Sequence, residues 1–288
     1  MKYLAESTRD IKRRIRGITN TKQITKAMEL VSSAKLRKAR EKLEKTRPYF
    51  NTVRESIQEV LSATGNMRHP FLEIREVKRS LYIVITADGG LAGGYNSNVI
   101  RAVESEIKSR KDEVDLIVIG RKGKDYFKSR GYNVVGEFLD ITEAPAFSDA
   151  VQIGQLAMEK YENREVDEVK LVYTEFITTL SQENKIIKLL PNEGVKSDKK
   201  EKTSVIEYEP SPEEVLDFLI PKYIESTIYG GLIESSCSEQ GSRRTAMQSA
   251  TDNAEEMIDE LTLSYNRARQ AAITSEISEI VAGAEALK

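Results

Sequence analysis

The sequence is poor in the residues that build catalytic and metal sites. Among 288 residues there is no tryptophan, one histidine and one cysteine. A single thiol cannot close an internal disulfide or supply half of a cysteine metal site. His69 has no second ligand of its kind, so the sequence argues against a metal site or a histidine base. Cys237 has no basic neighbour in the stretch IESSCSEQ, which favours an inert thiol over a nucleophile.

Long apolar runs are also missing. The longest is LYIVI at residues 81–85, far short of the ~20 residues that span a bilayer. The first residues, MKYLAESTRDIKRRIRG, contain no apolar core of the signal-peptide type. If this protein works at a membrane, we expect another chain to hold it there. With 31% charged and 7% aromatic residues, the composition suits long solvated helices better than one large compact core.

Three segments follow from the distribution of helix-breaking residues, and we place them at 1–65, 66–208 and 209–288. Residues 4–47 contain one glycine and no proline, which predicts a long helix that Pro48 breaks or kinks. No glycine or proline lies between Gly241 and Gly283, which predicts a helix of ~40 residues and about 60 Å. Before that helix, interruptions are expected at Pro221, Gly230, Gly231 and Gly241.

The middle segment alternates short β-branched runs with amphipathic ones. LYIVITA, DLIVIG, NVVGEF, EVKLVYTEFIT and KIIKLLP are predicted strands, and helices are predicted over about 96–110, over RKGKDYFKSRG and over SDAVQIGQLAMEKYEN. Ser148 is the expected N-cap of the last of these helices. Strands alternating with helices indicate βαβ units and a largely parallel sheet.

The two terminal segments show the periodicity of a helix pair. Apolar residues fall on one face at Ile11, Ile15 and Ile18, and this stripe is expected to shift to Ile24, Met28 and Val31 before ending near Leu36 and Leu43. In the last segment the stripe is Met247, Ala250, Ala254, Ile258, Leu261, Tyr265 and Ala268, followed by Ile273, Ile277 and Ile280. A helix this long must bury its stripe along another long element. The fold class predicted is therefore α/β, with a long antiparallel coiled coil of the N- and C-terminal helices plus a Rossmann-like α/β insert.

Charge supports the pairing. Residues 1–47 hold fifteen basic and five acidic side chains, whereas residues 211–288 hold six basic and fourteen acidic ones, so the net charges are +10 and −8. Opposite charges favour pairing of the two segments with each other over pairing of either with itself. Each exposed ion pair contributes only about 0–1 kcal/mol, so charge governs partner choice more than stability.

The glycine-rich loop DGGLAGGYN follows a predicted strand and precedes a helix, where open α/β sheets bind phosphate. Gly89 and Gly94 have the outer spacing of a P-loop, but Tyr95 and Asn96 stand where that motif requires Lys and Ser or Thr. A tight strand-to-helix turn that needs glycine backbone freedom is favoured over a nucleotide site.

Basic residues cluster in the first segment and leave three interpretations open. The set comprises Lys12, Arg13, Arg14, Arg16, Lys35, Arg37, Lys38 and Arg40. It could bind nucleic acid, form a solvated helix face, or dock onto acidic protein surfaces. Nucleic acid is disfavoured because the acidic last helix would repel phosphate alongside it.

Three long stretches resemble one family. They are ITNTKQITKAMELVSSAKLRKAR, YIVITADGGLAGGYN and SEQGSRRTAMQSATDNAEEMIDELTLSYNRARQAAITSEISEIVAGAEAL, and all three are similar to the gamma subunit of bacterial rotary ATP synthases. The resemblance implies a non-catalytic shaft without a cofactor, which turns inside a ring of alpha and beta subunits. It places the insert beside the epsilon subunit and the c-subunit ring, at the cytoplasmic face of the cell membrane. Proton flow would then drive rotation.

The resemblance also implies partner-contact residues. Relatives grip a beta subunit through residues that match Arg269, Gln270, Thr274 and Glu276, with Met28 near the same contacts. The helix end, with Ile273, Ile277, Ile280 and Leu287, would turn in an apolar collar. Two alternatives remain: the end packs on the first helix of its own chain, and the protein is a Rossmann-type enzyme with helical extensions that binds ATP or NAD.

Overall fold

The computed structural model describes residues 7–64, 69–191 and 212–286. Helix α1 (Thr8–Thr64) and helix α5 (Pro212–Ala286) enclose an α/β segment in the sequence. That segment contains β1 (Ser80–Ile85), α2 (Tyr95–Ile107), β2 (Val114–Ile119), α3 (Arg121–Ser129), β3 (Asn133–Phe138), α4 (Phe147–Glu162), β4 (Glu168–Phe176) and β5 (Gln182–Leu190), with short 3-10 turns at Pro70–Leu72 and Lys111–Glu113.

Internal contacts divide the chain into two compact units. We call residues 7–32 and 244–286 the helical pair, and the described residues between 33 and 243 the body. The segment boundaries predicted at 65/66 and 208/209 lie outside the described residues. Those boundaries therefore stay predictions.

The body contains one five-stranded sheet in the order β3-β2-β1-β4-β5. The pairs β1–β2, β1–β4 and β2–β3 are parallel, and only β4–β5 is antiparallel. This order places the reversal of strand winding between β1 and β4, as in doubly wound α/β folds. The prediction of a largely parallel, Rossmann-like sheet is confirmed.

Strands β1 and β2 are buried along their whole length because helices cover both faces of the sheet. On one face Leu81, Ile83 and Ile85 join a cluster with side chains of α4 and α5. On the other face Tyr82 and Val84 pack with side chains of α2 and α3. Continuous apolar runs such as LYIVI are therefore typical of these central strands.

The expected breaks in the long helices are wrong, whereas a kink at Pro48 stays a prediction. Helix α1 continues through Pro48, and α5 continues through Pro221 and three glycines. Pro48 is exposed, so the carbonyl that loses its amide partner can bond to water. Gly231 and Gly241 do not end the helix, but let neighbouring side chains pack close to its backbone. A Cβ at Gly231 would lie 3.1 Å from Leu171, and one at Gly241 would lie 3.2 Å from Gln182.

The expected N-cap of α4 is also wrong. Helix α4 begins at Phe147 with Ala146 as the capping residue, so Ser148 lies inside the first turn. The carboxylate of Asp149 accepts the backbone N–H of Ala146 at 2.8 Å. This first-turn carboxylate satisfies the N–H of the capping residue, which is one half of a capping box.

Candidate functional site

The helical pair has a regular seam with a polar middle. A series of buried and half-buried side chains of α1 in this unit recurs at three and four residues: Ile11, Ile15, Ile18, Lys22, Thr25, Glu29 and Ser32. Such a spacing is the 3.5-residue repeat of a coiled coil. The seam continues straight through polar residues, so the predicted shift of the stripe to Ile24 and Val31 is wrong, whereas Met28 is half-buried at the side of the seam.

Three large apolar side chains of α1 are therefore left outside the seam. Ile24 is 61% exposed, Leu30 60% and Val31 53%, while Met28 is half-buried. We call Ile24, Met28 and Val31, which follow one another at four and three residues, the outer apolar row, and Leu30 lies on another exposed face. The signal for it was present in the sequence, because these residues depart from the 3.5-residue repeat that Ile11, Ile15 and Ile18 begin.

The seam of α5 agrees with the prediction and adds Thr251. Met247, Thr251 and Ala254 are buried, and Ala250, Ile258, Leu261, Tyr265 and Ala268 are half-buried. Polar bonds join the two helices at its middle. Thr251 Oγ1 donates to Thr25 Oγ1 at 2.8 Å, and Lys22 Nζ lies 2.7 Å from Glu255 Oε1. Lys22 lowers the pKa of the Glu255 carboxyl, as the opposite charges of the two segments suggest.

The seam ends at Ala268. Every side chain from residue 269 to residue 284 is exposed, and Ile273, Ile277 and Ile280 are 47%, 56% and 66% exposed. We call residues 269–284 the tip. Because Thr25 is level with Thr251, Ile11 and Ile15 lie opposite the seam of α5 near Tyr265 and Leu261, so the isoleucines of the tip do not pack on them. Leu287 and Leu4 lie outside the described residues.

The four residues matched to beta-subunit contacts all lie on the exposed tip. Arg269, Gln270, Thr274 and Glu276 are exposed, and Thr274 Oγ1 donates to the carbonyl of Gln270 at 2.9 Å. The structure does not bring Met28 close to them. Because Thr25 and Thr251 are level, Met28 and Arg269 lie on opposite sides of that level, roughly 30 Å apart along the helices at 1.5 Å per residue.

The basic residues divide between the two units. In the helical pair, Lys12, Arg13, Arg14 and Arg16 are exposed, and Arg13 forms a 3.0 Å ion pair with Asp10. In the body, Lys35 lies 2.6 Å from Glu143 and Arg40 lies 3.0 Å from Glu44. Arg37 and Lys38 are exposed. Part of the basic set therefore bonds within the chain.

The glycine-rich loop after β1 uses its polar groups internally. Asn96 Oδ1 accepts the N–H of Ala87 at 2.8 Å. The Asp88 carboxylate accepts a hydrogen bond from the hydroxyl of Thr142 at 2.9 Å and from the N–H of Arg121 at 3.0 Å. Because Arg121 is the first residue of α3, the N-terminus of that helix already has a carboxylate bound to it. A second anion at that helix end would meet like charge, so the geometry favours a structural turn.

His69 and Cys237 also have structural surroundings. His69 Nδ1 accepts the N–H of Phe71 at 3.1 Å, so Nε2 carries the proton that bonds to Asp217 at 2.9 Å. Burial raises the pKa of the Cys237 thiol to about 12, which opposes thiolate formation at neutral pH. Among the described residues, no group of three or more histidine, cysteine, aspartate or glutamate side chains could hold a metal ion.

Comparisons with known proteins agree with these features. A sequence profile described as ATP synthase matches residues 7–287. The chain is 60% identical over 284 residues to the ATP synthase gamma chain of Alkaliphilus metalliredigens, covering 97% of this chain and 98% of that one. It is 50% identical over 302 residues to the "ATP synthase gamma chain, sodium ion specific" of Acetobacterium woodii, covering 99% and 100%.

A solved structure shows the same fold. It is the central stalk and c-ring of the mitochondrial ATP synthase of Tetrahymena thermophila, determined by cryo-electron microscopy. The chain matched there is 27% identical in sequence, with a TM-score of 0.62, over 79% of this chain and 99% of that chain. The similarity thus includes both the sequence and the arrangement of elements.

Proposed function

This chain belongs to the ATP synthase gamma chain family, and on that premise we propose that it is the rotating shaft of such an enzyme. In this role it couples proton flow through a membrane sector to ATP synthesis and hydrolysis in beta subunits. The helical pair carries the proposal, because it combines an internal seam with an outer apolar row and an uncovered tip. Surfaces of this kind indicate contact with other proteins.

An asymmetric shaft explains how a non-catalytic chain controls catalysis. The outer apolar row and the basic residues lie on α1, whereas α5 is acidic. Each beta subunit around the shaft therefore meets a different surface. A surface that binds one beta conformation better shifts that subunit toward it, and nucleotide turnover drives rotation by the reciprocal linkage.

The partners follow from the same role. We propose that the helical pair lies within a ring of alpha and beta subunits and that the body contacts an epsilon subunit and a c-ring. The Tetrahymena structure, which contains a central stalk together with a c-ring, supports the last of these contacts. The enzyme would sit on the cytoplasmic face of the cell membrane, with this chain as a peripheral component. None of the described helices is long and apolar enough to cross a bilayer.

We propose the proton as the coupling ion. The relative at 60% identity carries no ion designation in its name, whereas the relative at 50% identity is named sodium ion specific. ATP synthesis in membrane vesicles separates the two ions. A proton-coupled enzyme works without sodium and stops with a protonophore, and dependence on sodium would overturn the proton assignment.

Reconstitution tests the function. Purified chain mixed with alpha and beta subunits of the same enzyme should form a complex with ATP hydrolysis above that of the subunits alone. The rival enzyme hypothesis predicts instead that the isolated chain binds ATP or NAD stoichiometrically. Calorimetric titration of the isolated chain measures that binding directly, and the internally bonded loop after β1 leads us to expect none.

The basic residues are proposed to face acidic surfaces of neighbouring subunits. Neutralising Arg37 and Lys38 together, as Arg37→Gln with Lys38→Gln, should change the hydrolysis rate roughly twofold without preventing assembly, since each exposed pair contributes about 0–1 kcal/mol. The difference should shrink as salt rises. Arg101→Gln on α2 with Lys108→Gln directly after it removes the same charge and is the control. Equal rates for both variants at all salt concentrations would remove the basis for this contact.

Arg269 is proposed to grip a beta-subunit carboxylate from the tip. Arg269→Lys keeps the charge but loses the bidentate geometry of the guanidinium. We expect ATP-driven pumping to fall by roughly fivefold, as loss of one charged hydrogen bond of about 1.5–3 kcal/mol allows. The melting temperature should stay unchanged because Arg269 is exposed. Arg267→Lys, two residues earlier and also exposed, is the control, and identical pumping in both variants counts against the grip.

A further inference from the structure

The part of α1 that belongs to the body packs on the rest of it through two kinds of contact. Its buried residues Leu36 and Leu43 lie in one cluster with Phe176 of β4 and with Ile233 and Cys237 of α5. Apolar contact of this kind is non-directional. It holds α1 against the body without fixing the direction of any single contact.

Arg47 provides a directional contact beside this cluster. Its Nε and Nη2 donate to Glu234 Oε1 at 3.0 and 2.8 Å, and Nη2 also donates to the carbonyl of Phe176 at 3.2 Å. Glu234 Oε2 in turn accepts the N–H of Phe176 at 2.8 Å. The Arg47 side chain of α1 therefore bonds to α5 and to the end of β4. The Glu234 carboxylate of α5 bonds both to Arg47 and to the N–H of Phe176.

The environment strengthens this arrangement. The Glu234 side chain is only 12% exposed, whereas Arg47 is 48% exposed. A carboxylate held in little water interacts more strongly with its guanidinium partner than an exposed one does. The planar fork of arginine also fixes the direction of approach, which a lysine ammonium does not.

Other basic residues of α1 reach the body less firmly. Lys35 pairs with Glu143, whose side chain is 63% exposed. Lys42 donates to the carbonyl of Pro145 and lies over the ring of Tyr229, 5.4 Å from its centre. Each of these lysines meets its partners as a flexible point charge. Arg47 alone, among the basic side chains described on α1, makes charge-assisted bonds to a side chain of α5 and a bond to the main chain of the sheet.

We infer that Arg47 and Glu234 are positioning residues that transmit torque between α1 and the body. The inference rests on the proposed function, in which neighbouring subunits push on α1 through the outer apolar row and the basic residues. The part of α5 within the body shares its main core through Leu216, Ile220, Ile224, Ile228 and Leu232, so this part of α5 and the sheet move together. Within the body, the Arg47–Glu234–Phe176 network is a directional link through which a force on α1 passes to α5 and to the sheet.

The test uses the assembled membrane enzyme and the ratio of ions pumped to ATP hydrolysed. For Arg47→Ala we expect this ratio to fall at least twofold while hydrolysis stays within twofold of the unmodified enzyme. Arg47→Lys should give an intermediate ratio, because one ammonium keeps the charge but not the three bonds. Glu234→Gln should resemble Arg47→Ala.

A matched control separates torque transmission from simple stabilisation. Arg110 forms a 2.7 Å pair with Glu113, three residues away in its own local segment, so Arg110→Ala removes an ion pair without disconnecting two elements. Its ratio should be unchanged. A lower melting temperature for Arg47→Ala with an unchanged ratio would assign the network a structural role only. If both the melting temperature and the ratio of ions pumped to ATP hydrolysed were unchanged in Arg47→Ala, the inference would also be overturned.

Failure of the proposed function has a different signature. If the unmodified chain does not assemble with alpha and beta subunits or drive pumping, the shaft role itself is wrong. If the unmodified enzyme pumps normally and Arg47→Ala pumps with the same ratio, only the inference about Arg47 falls.

Discussion

Replacing Ile277 or Ile280 with aspartate should strongly reduce the yield of assembled enzyme. Both isoleucines are more than half exposed in the isolated chain, and we propose that an apolar collar of the alpha–beta ring covers them after assembly. An unpaired carboxylate placed in such a collar costs several kcal/mol. Every 1.4 kcal/mol is about tenfold in a binding constant, so the complex should become scarce on size-exclusion chromatography.

The control for this prediction lies on the same helix. Ser275→Asp adds the same charge to the tip at a polar, exposed position, and its effect on assembly should be small. Removing residues after 283 should also be tolerated, because a loose bearing needs bulk and not specific bonds. Normal assembly of Ile277→Asp and Ile280→Asp would show that these side chains are not buried by the ring.

Gly120→Ala is expected to destabilise the body more than the same change at Gly231 or Gly241. Gly120 joins β2 to α3 with φ of 86° and ψ of 143°, a region that side chains with a Cβ hardly adopt. The added carbon would overlap the carbonyl oxygen of Thr86 and lie 2.7 Å from its carbonyl carbon. Backbone of a buried strand end cannot move aside as a flexible side chain can.

Gly120→Ala should lower the free energy of unfolding by more than about 3 kcal/mol, because backbone strain and overpacking add together at this position. Urea unfolding followed by circular dichroism measures it. Gly17→Ala is the matched control, because nothing lies within 4 Å of a Cβ there and the residue is inside α1. It should gain about 0.5–1 kcal/mol from better helix propensity. If Gly120→Ala unfolded at the same urea concentration as Gly17→Ala, the strain at this turn would be absent.

The central sheet could be predicted from the sequence because the two patterns that indicate it each lie within a short stretch of chain. LYIVI and DLIVI are continuous apolar runs of strand length, and amphipathic stretches alternate with them. The direction of β5 could not be predicted in the same way. Its antiparallel pairing with β4 depends on the short connection from Phe176 to Gln182, which the prediction of a largely parallel sheet did not address.

The ends of the long helices were predicted poorly because glycine and proline have two roles. Local propensity counts Gly231 as a helix breaker, yet tertiary packing brings Leu171 to 3.1 Å from its missing Cβ. The benefit of that close approach exceeds the propensity cost of about 1 kcal/mol. A sequence without a structure does not show which neighbour needs the space.

The seam illustrates a similar limit. A prediction from the positions of apolar residues places Ile24 and Val31 in the seam. The observed seam contains Lys22, Thr25 and Ser32 instead. The polar residues find partners across the pair, as in the hydrogen bond between Thr251 and Thr25, and the apolar ones stay outside. The Arg47–Glu234 network was missed because its members are 187 residues apart.

The uncovered tip has a consequence for the life of the chain before assembly. A helix end whose side chains are all exposed, and which no other described element covers, frays easily, and fraying exposes its backbone to proteases. Exposed isoleucines on the same stretch favour self-association. Once the ring encloses this end, both hazards vanish together. Unassembled and assembled copies of the chain should therefore differ most in protease sensitivity near residues 269–284. Brief limited proteolysis distinguishes the two populations.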